Sequence, residues 1–148
     1  MPRINVGDCE IHDEEQGRGD PLVLLHGLGS SLRDWELQIP ALSERYRVVA
    51  IDMRGHGRSD KPPGPYSVAK FAADVVAVLD KLAIGPAHIV GISMGGMIAF
   101  QLVVDAPAHV RSLVVINSGP ALVLRTFAEK FAIWSRRVML RLVGLPRL

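Results

Sequence analysis

Ser93 stands in the run Gly91-Ile92-Ser93-Met94-Gly95, a serine with a glycine two residues to either side. A serine hydroxyl is a weak nucleophile until it is held exposed and given a base. Glycines at those two places allow a turn so sharp that side chains there would collide with the flanking strand and helix. The spacing therefore points to attack on a carbonyl carbon. A helix starting directly after the serine would aim its free N–H groups at the oxygen that becomes negative. A turn of small residues that only packs a helix on a sheet is the blander reading, and the strand, turn and helix pattern argues against it.

Such chemistry needs two backbone donors for the developing oxyanion. One is expected from Met94, the residue after the serine, and the other from a loop after an earlier strand. His26-Gly27-Leu28-Gly29-Ser30-Ser31 fits that loop, with the Leu28 N–H as second donor and Gly29 as the fallback. Gly27, Gly29 and Met94 are expected to line the substrate pocket, Met94 serving equally well as packing. A phosphate-cradling loop is the rival reading, but Gly27-x-Gly29-x-x-Leu32 lacks the third glycine and no Gly-Lys-Ser/Thr follows.

The elements that must position these residues follow from the apolar pattern. Residues 3–7 and 9–15 read as two antiparallel strands around Gly7-Asp8. Leu22–Leu25, Tyr46–Asp52, His88–Ile92 and Leu113–Ile116 read as buried strands. Between them lie a helical stretch around 32–45 broken at Pro40, a helix from Ser67 to a stop at Gly85-Pro86, and a helix from Ser93 to Pro107. In the second of these, Val68, Phe71, Ala72, Val75, Leu79 and Leu82 share one helical face. Continuous apolar strands alternating with amphipathic helices predict an α/β fold, a mostly parallel sheet with helices on both faces.

Composition narrows the class further. Of 148 residues 49% are hydrophobic, which excludes a disordered chain. The net charge of +2 conceals a division: residues 1–120 hold 11 Lys and Arg against 14 Asp and Glu, whereas 121–148 hold six against one. The basic surplus is therefore not on the body, which argues against a nucleic-acid partner. Cys9 is the single cysteine, so neither an internal disulfide nor a multi-cysteine metal site can form. No metal is expected. No signal peptide and no apolar run of membrane-spanning length is evident, and a soluble cytoplasmic protein is the expectation.

Taken together, His26–Ser31, Trp35, Asp52-Met53-Arg54-Gly55-His56-Gly57-Arg58-Ser59-Asp60 and Gly91–Gly96 resemble, in order and spacing, the α/β-hydrolase superfamily. They look like its small esterase, lactonase and carbon–carbon-bond hydrolase branch. The resemblance covers residues 20 to about 120 and implies a small-molecule carbonyl substrate and no cofactor. It also implies that Asp52–Asp60 is a structural loop, with Arg54, His56 and Asp60 fixing it. Gly96 is expected to permit close helix–sheet contact.

The resemblance also implies a triad of serine, acid and histidine, the last two borne on later strands. The histidines here are His12, His26, His56, His88 and His109, and only His26 and His56 lie at the right strand ends. Both have structural roles in the family. After the sixth strand Ile116-Asn117-Ser118-Gly119-Pro120 offers no carboxylate. A chain holding six strands and lacking the last two is the expectation, with 1–120 as core and 121–148 as the start of a helical cap. The basic, apolar segment 121–148 fits a cap better than a membrane-surface helix. A bare sixth strand and an uncovered cap helix would favour self-association. A non-catalytic binding module on the same fold is the alternative.

Overall fold

The computed structural model describes residues 3–120, so the cap expected over 121–148 lies outside the described residues. Six strands form one sheet: β1 (Arg3–Asn5), β2 (Glu10–Gln16), β3 (Asp20–Leu25), β4 (Tyr46–Ile51), β5 (Ala87–Ile92) and β6 (Val110–Ile116). Their order is β1-β2-β4-β3-β5-β6. Strands β4, β3, β5 and β6 run parallel, and β2 joins β4 antiparallel, carrying β1 as a hairpin at one margin. The mostly parallel α/β sheet expected from the apolar runs is thus what forms.

Three helices and a 3-10 turn cover the sheet. On one face Val23, Leu25, Val49, Ile51 and Ile89 pack under α2 (Val68–Lys81) and α3 (Met94–Asp105), giving the main core. On the other, Leu22, Leu24, Val48 and Ala50 pack under Leu32 and Trp35, with Ile39 and Leu42 of α1 (Ile39–Leu42) alongside. Pro40 divides the helical stretch as expected: Leu32–Trp35 is a 3-10 turn, and Pro40 falls in the first turn of α1, where its missing N–H leaves no bond unmade.

Several boundaries differ from the sequence reading, the end of α2 and the start of β6 among them. Helix α2 stops before Gly85. Ala83 takes φ +51, its N–H donates to Asp80 O, and the Ile84 N–H donates to Leu79 O, which closes the helix with paired carbonyl caps. The packing of Ile84 in the core secures that ending even without a glycine at the left-handed position. Strand β6 begins at Val110, not Leu113, because polar residues also serve its exposed side. Arg111 pairs with Asp20 at 2.9 Å and Ser112 Oγ bonds His88 Nδ1 at 2.7 Å. Among the described residues no strand flanks β6 on the side away from β5, and Val114 and Ile116 are exposed.

Parallel register brings the functional segments to one pole. Leu25 lies opposite Ile51 and Gly91, and Ile92 opposite Ile116. The chain segments that follow, 26–31, 52–60, 93–97 and 117–118, therefore share the carboxyl edge of the sheet, the usual place for a ligand site in such a fold.

Candidate active site

Ser93 is the hinge between β5 and α3, with φ +51 and ψ −113. That conformation lies outside the ordinary regions for a residue with a Cβ and costs about 1–3 kcal/mol. It is held from both sides. A Cβ on Gly91 would stand 2.2 Å from Gly95 O, and one on Gly95 would stand 2.2 Å from Leu25 O. Only two glycines let helix and strands approach this closely. The Ser93 side chain makes no capping bond to α3 and the residue is exposed, so the hydroxyl is presented outward. Met94 begins the helix, and its amide is among those that the helical ladder leaves free. The Met94 side chain packs in the main core. Gly96 makes the close helix–sheet contact expected of it, with Val115 and Ser118 beside it.

The 26–31 loop reaches the same point. A Cβ on Gly27 would lie 3.7 Å from Ser93 Cβ and 3.8 Å from Asp34 Oδ2. Asp34, which the sequence reading did not single out, organises this loop: its Oδ2 accepts from the Gly27 N–H at 3.2 Å and its Oδ1 accepts from Ser30 Oγ. The Ser30 N–H donates to Gly27 O. The Gly27 and Ser30 amides are therefore engaged, while the Leu28 N–H finds no acceptor among the described residues. Its side chain is 76% exposed at the mouth of the site.

Asp52 ties this loop to the next one. It is buried, accepts from the Leu32 N–H at 2.7 Å and from the Arg58 N–H at 2.8 Å, and leaves no room for a Cβ on Gly57. Asp60 receives Arg3 Nη1 at 2.9 Å and the Glu10 N–H at 3.0 Å. Arg54 is sandwiched between Asp74 of α2 and Asp8, and these carboxylates raise its pKa further while Arg54 holds Asp8 well below the carboxylate range. Arg54 and Asp60 are thus fixing groups, as the resemblance implied. Asp74 could have been found from sequence only as an acid on the apolar face of α2, two residues from Ala72.

His26 is not free to act as a base. His26 is fully buried, and its Nδ1 lies 2.7 Å from Gly27 O while the Met53 N–H donates to its Nε2 at 3.0 Å. A carbonyl can only accept and an amide can only donate, so the ring is neutral with its proton on Nδ1, and both nitrogens are engaged. His56 donates from Nδ1 to Arg54 O at 3.0 Å and packs against His26 and Phe71. His12 is on β2, with β4 and β3 standing between it and β5. His88 and His109 precede or open their strands, at the opposite pole from Ser93.

Burial pushes the His26 pKa down, an effect that its bond to Gly27 O only partly opposes. The unfolded chain takes up this proton near pH ~6.5, above the folded value. The unfolded state then binds more protons in that interval, and stability falls as pH drops through about 6.5 toward the folded pKa. Urea unfolding from pH 8 to 5.5 should show this decline. His26→Gln, which can make both bonds without titrating, should flatten it; an equally steep decline in that variant would assign the effect to another group.

A strained, exposed serine at a strand-to-helix turn, beside a loop with an unused amide, places this molecule among α/β proteins built around such an elbow. The chain belongs to the α/β-hydrolase-fold family, whose model matches residues 20–144. It is similar to RutD of Azorhizobium caulinodans, 38% identical over 117 residues that cover 79% of this chain and 44% of that one. Among solved structures it resembles Est816, described as an N-acyl homoserine lactone degrading enzyme, at 42% identity and TM-score 0.78, covering 80% of this chain and 46% of the other. The enol-lactonase from Burkholderia xenovorans LB400 superposes with TM-score 0.87 at 30% identity, covering 97% and 55%. The chain thus spans about half the length of the relatives it matches. Among the described residues no helix is long and apolar enough to cross a membrane.

Proposed function

We propose that this chain carries the nucleophile and oxyanion site of a serine hydrolase acting on a small ester, lactone or related carbonyl compound. The strained conformation of Ser93 is the observation that carries this reading, because a turn that only packs a helix has no need of it. Ser93 Oγ attacks the carbonyl carbon and gives up its proton to a base. The carbonyl oxygen becomes an oxyanion held by the Leu28 and Met94 N–H groups, with Gly27 and Gly29 beside the substrate, while the Met94 side chain stays in the core. Collapse expels the alcohol or opens the ring, and water then releases the acyl group. Two similar proteins, Est816 and the Burkholderia enol-lactonase, are described as acting on lactones, which favours a cyclic ester as substrate.

Of the two histidines at the correct pole, His26 has both ring nitrogens engaged and His56 donates its Nδ1 proton to Arg54 O. The exposed margin of β6, with Val114 and Ile116, is the surface through which the chain would associate with itself. That the fold serves only to bind a ligand is the second reading, and the engagement of His26 and His56 is what favours it.

Two measurements separate these readings. The 148-residue chain should turn over p-nitrophenyl esters no faster than its Ser93→Ala variant. A fluorophosphonate probe at high concentration should label it slowly, over hours, and at Ser93 only. Labelling elsewhere, or none at all, would favour the binding module, whereas turnover abolished by Ser93→Ala would show that His26 or His56 serves as base after all.

A further inference from the structure

The carbonyl of Ser93 has three donors. Two come from its own helix, the N–H groups of Gly96 at 3.0 Å and Met97 at 3.2 Å. The third comes from outside it: Ser118 Oγ donates to Ser93 O at 2.6 Å. The same stretch of chain also holds the other side of the residue, because the Ser93 N–H donates to Ile116 O at 3.0 Å. Between these two anchors Asn117 takes φ +47, turning the chain from the end of β6 toward α3. Gly96 makes the space, since a Cβ there would stand 2.5 Å from Ser118 Cβ and 2.7 Å from its Oγ. The position after β6 at which a carboxylate was sought thus carries a hydroxyl directed at the elbow.

This contact has a consequence for the oxyanion site. The Ser93–Met94 peptide is trans, since Gly64-Pro65 is the cis bond among the described residues. In a trans peptide the C=O and the next N–H lie in one plane and point in opposite directions. Whatever fixes the Ser93 carbonyl therefore aims the Met94 N–H. The two helical amides reach that oxygen from within α3. The Ser118 hydroxyl adds a third donor from the segment after β6, outside the helix. We propose that Ser118 is a positioning residue, whose hydroxyl locks the Ser93–Met94 peptide plane so that the Met94 N–H faces the oxyanion. The proposal rests on the reading of Ser93 and Met94 given above, and a misaimed donor loses most of its effect on a developing charge.

The orientation of one N–H vector can be measured directly. Residual dipolar couplings on the isotope-labelled, weakly aligned 148-residue chain should place the wild-type Met94 N–H as in the structure. In Ser118→Ala the Met94 coupling should fall by a third or more, while couplings in β3 and β5 stay unchanged. Ser118→Thr, which keeps the hydroxyl, should restore it, and Ser118→Val, with the shape of threonine, should not. This last pair isolates the hydroxyl even if alanine disturbs the fold. Fluorophosphonate labelling of Ser93 should slow about tenfold in the Ala and Val variants and recover in Thr, consistent with an aimed donor. A Met94 coupling equal in wild type, Ser118→Ala and Ser118→Val would overturn the proposal. Labelling that survives Ser93→Ala would instead overturn the reading of Ser93, leaving the couplings to decide the role of Ser118.

Discussion

Gly95→Ala is expected to cost about 3 kcal/mol or more and to yield little folded protein. The added methyl would stand 2.2 Å from Leu25 O, 2.6 Å from Leu25 C and 2.9 Å from His26 O. None of these atoms can withdraw. Leu25 is fully buried and lies in register with both Ile51 and Gly91, and His26 is fixed through both ring nitrogens. Helix α3 would have to lift from the sheet, which opens the main core around Ile98, Ala99 and Leu102. Overpacking ordinarily costs about 1–3 kcal/mol when neighbours can shift, and a rigid backbone contact belongs at or beyond the upper end. Gly85→Ala is the control, because a Cβ there meets nothing within 4 Å. Urea unfolding of the two variants checks this, and a Gly95→Ala protein as stable as Gly85→Ala would show that the elbow yields where the structure has it rigid.

The second large effect lies in the ion cluster beneath the 52–60 loop. Arg54→Met should destabilise the protein by about 3–5 kcal/mol, because it leaves the buried carboxylate of Asp74 without its main partner. Lys70, 3.9 Å from Asp74, recovers part of this and places the loss toward the lower figure. Adding Asp74→Leu should return much of the stability, since a buried pair removed as a whole leaves no orphaned charge. The comparison to make is the double-mutant cycle by urea unfolding. A single variant within 1 kcal/mol of wild type, or a double variant as unstable as the sum of the singles, would mean that Arg54 and Asp74 do not act as a pair.

Much of this site was legible in the residues themselves. Gly91 and Gly95 around Ser93 announce a close approach of helix and strand, and the structure has backbone atoms where their side chains would be. The apolar stripe of α2 was equally plain, with Phe71, Ala72, Val75 and Leu79 buried. What was not legible are the polar residues whose partners are distant in the chain. Asp74 interrupts the apolar face of α2, and its partner Arg54 stands 20 residues away in the chain. Asp52, 20 residues from Leu32, and Ser118, 25 residues from Ser93, are bound in the same way. Spacing reports which residues share a face of one element; it carries no trace of a hydrogen bond made between elements.

The sequence by itself determined the parallel α/β architecture, the elbow at Ser93 and the loop at 26–31, because each depends on local conformational freedom and on which residues can leave water. Tertiary structure alone decided that His26 and His56 are engaged, that Asp34 organises the donor loop, and that Ser118 grips the Ser93 peptide. Those outcomes depend on parallel register, which brings the ends of β3, β4, β5 and β6 to one pole and lets short polar side chains meet across strands. A histidine at the right strand end stops being a candidate base once both of its nitrogens find partners, as those of His26 do, and that is settled by packing.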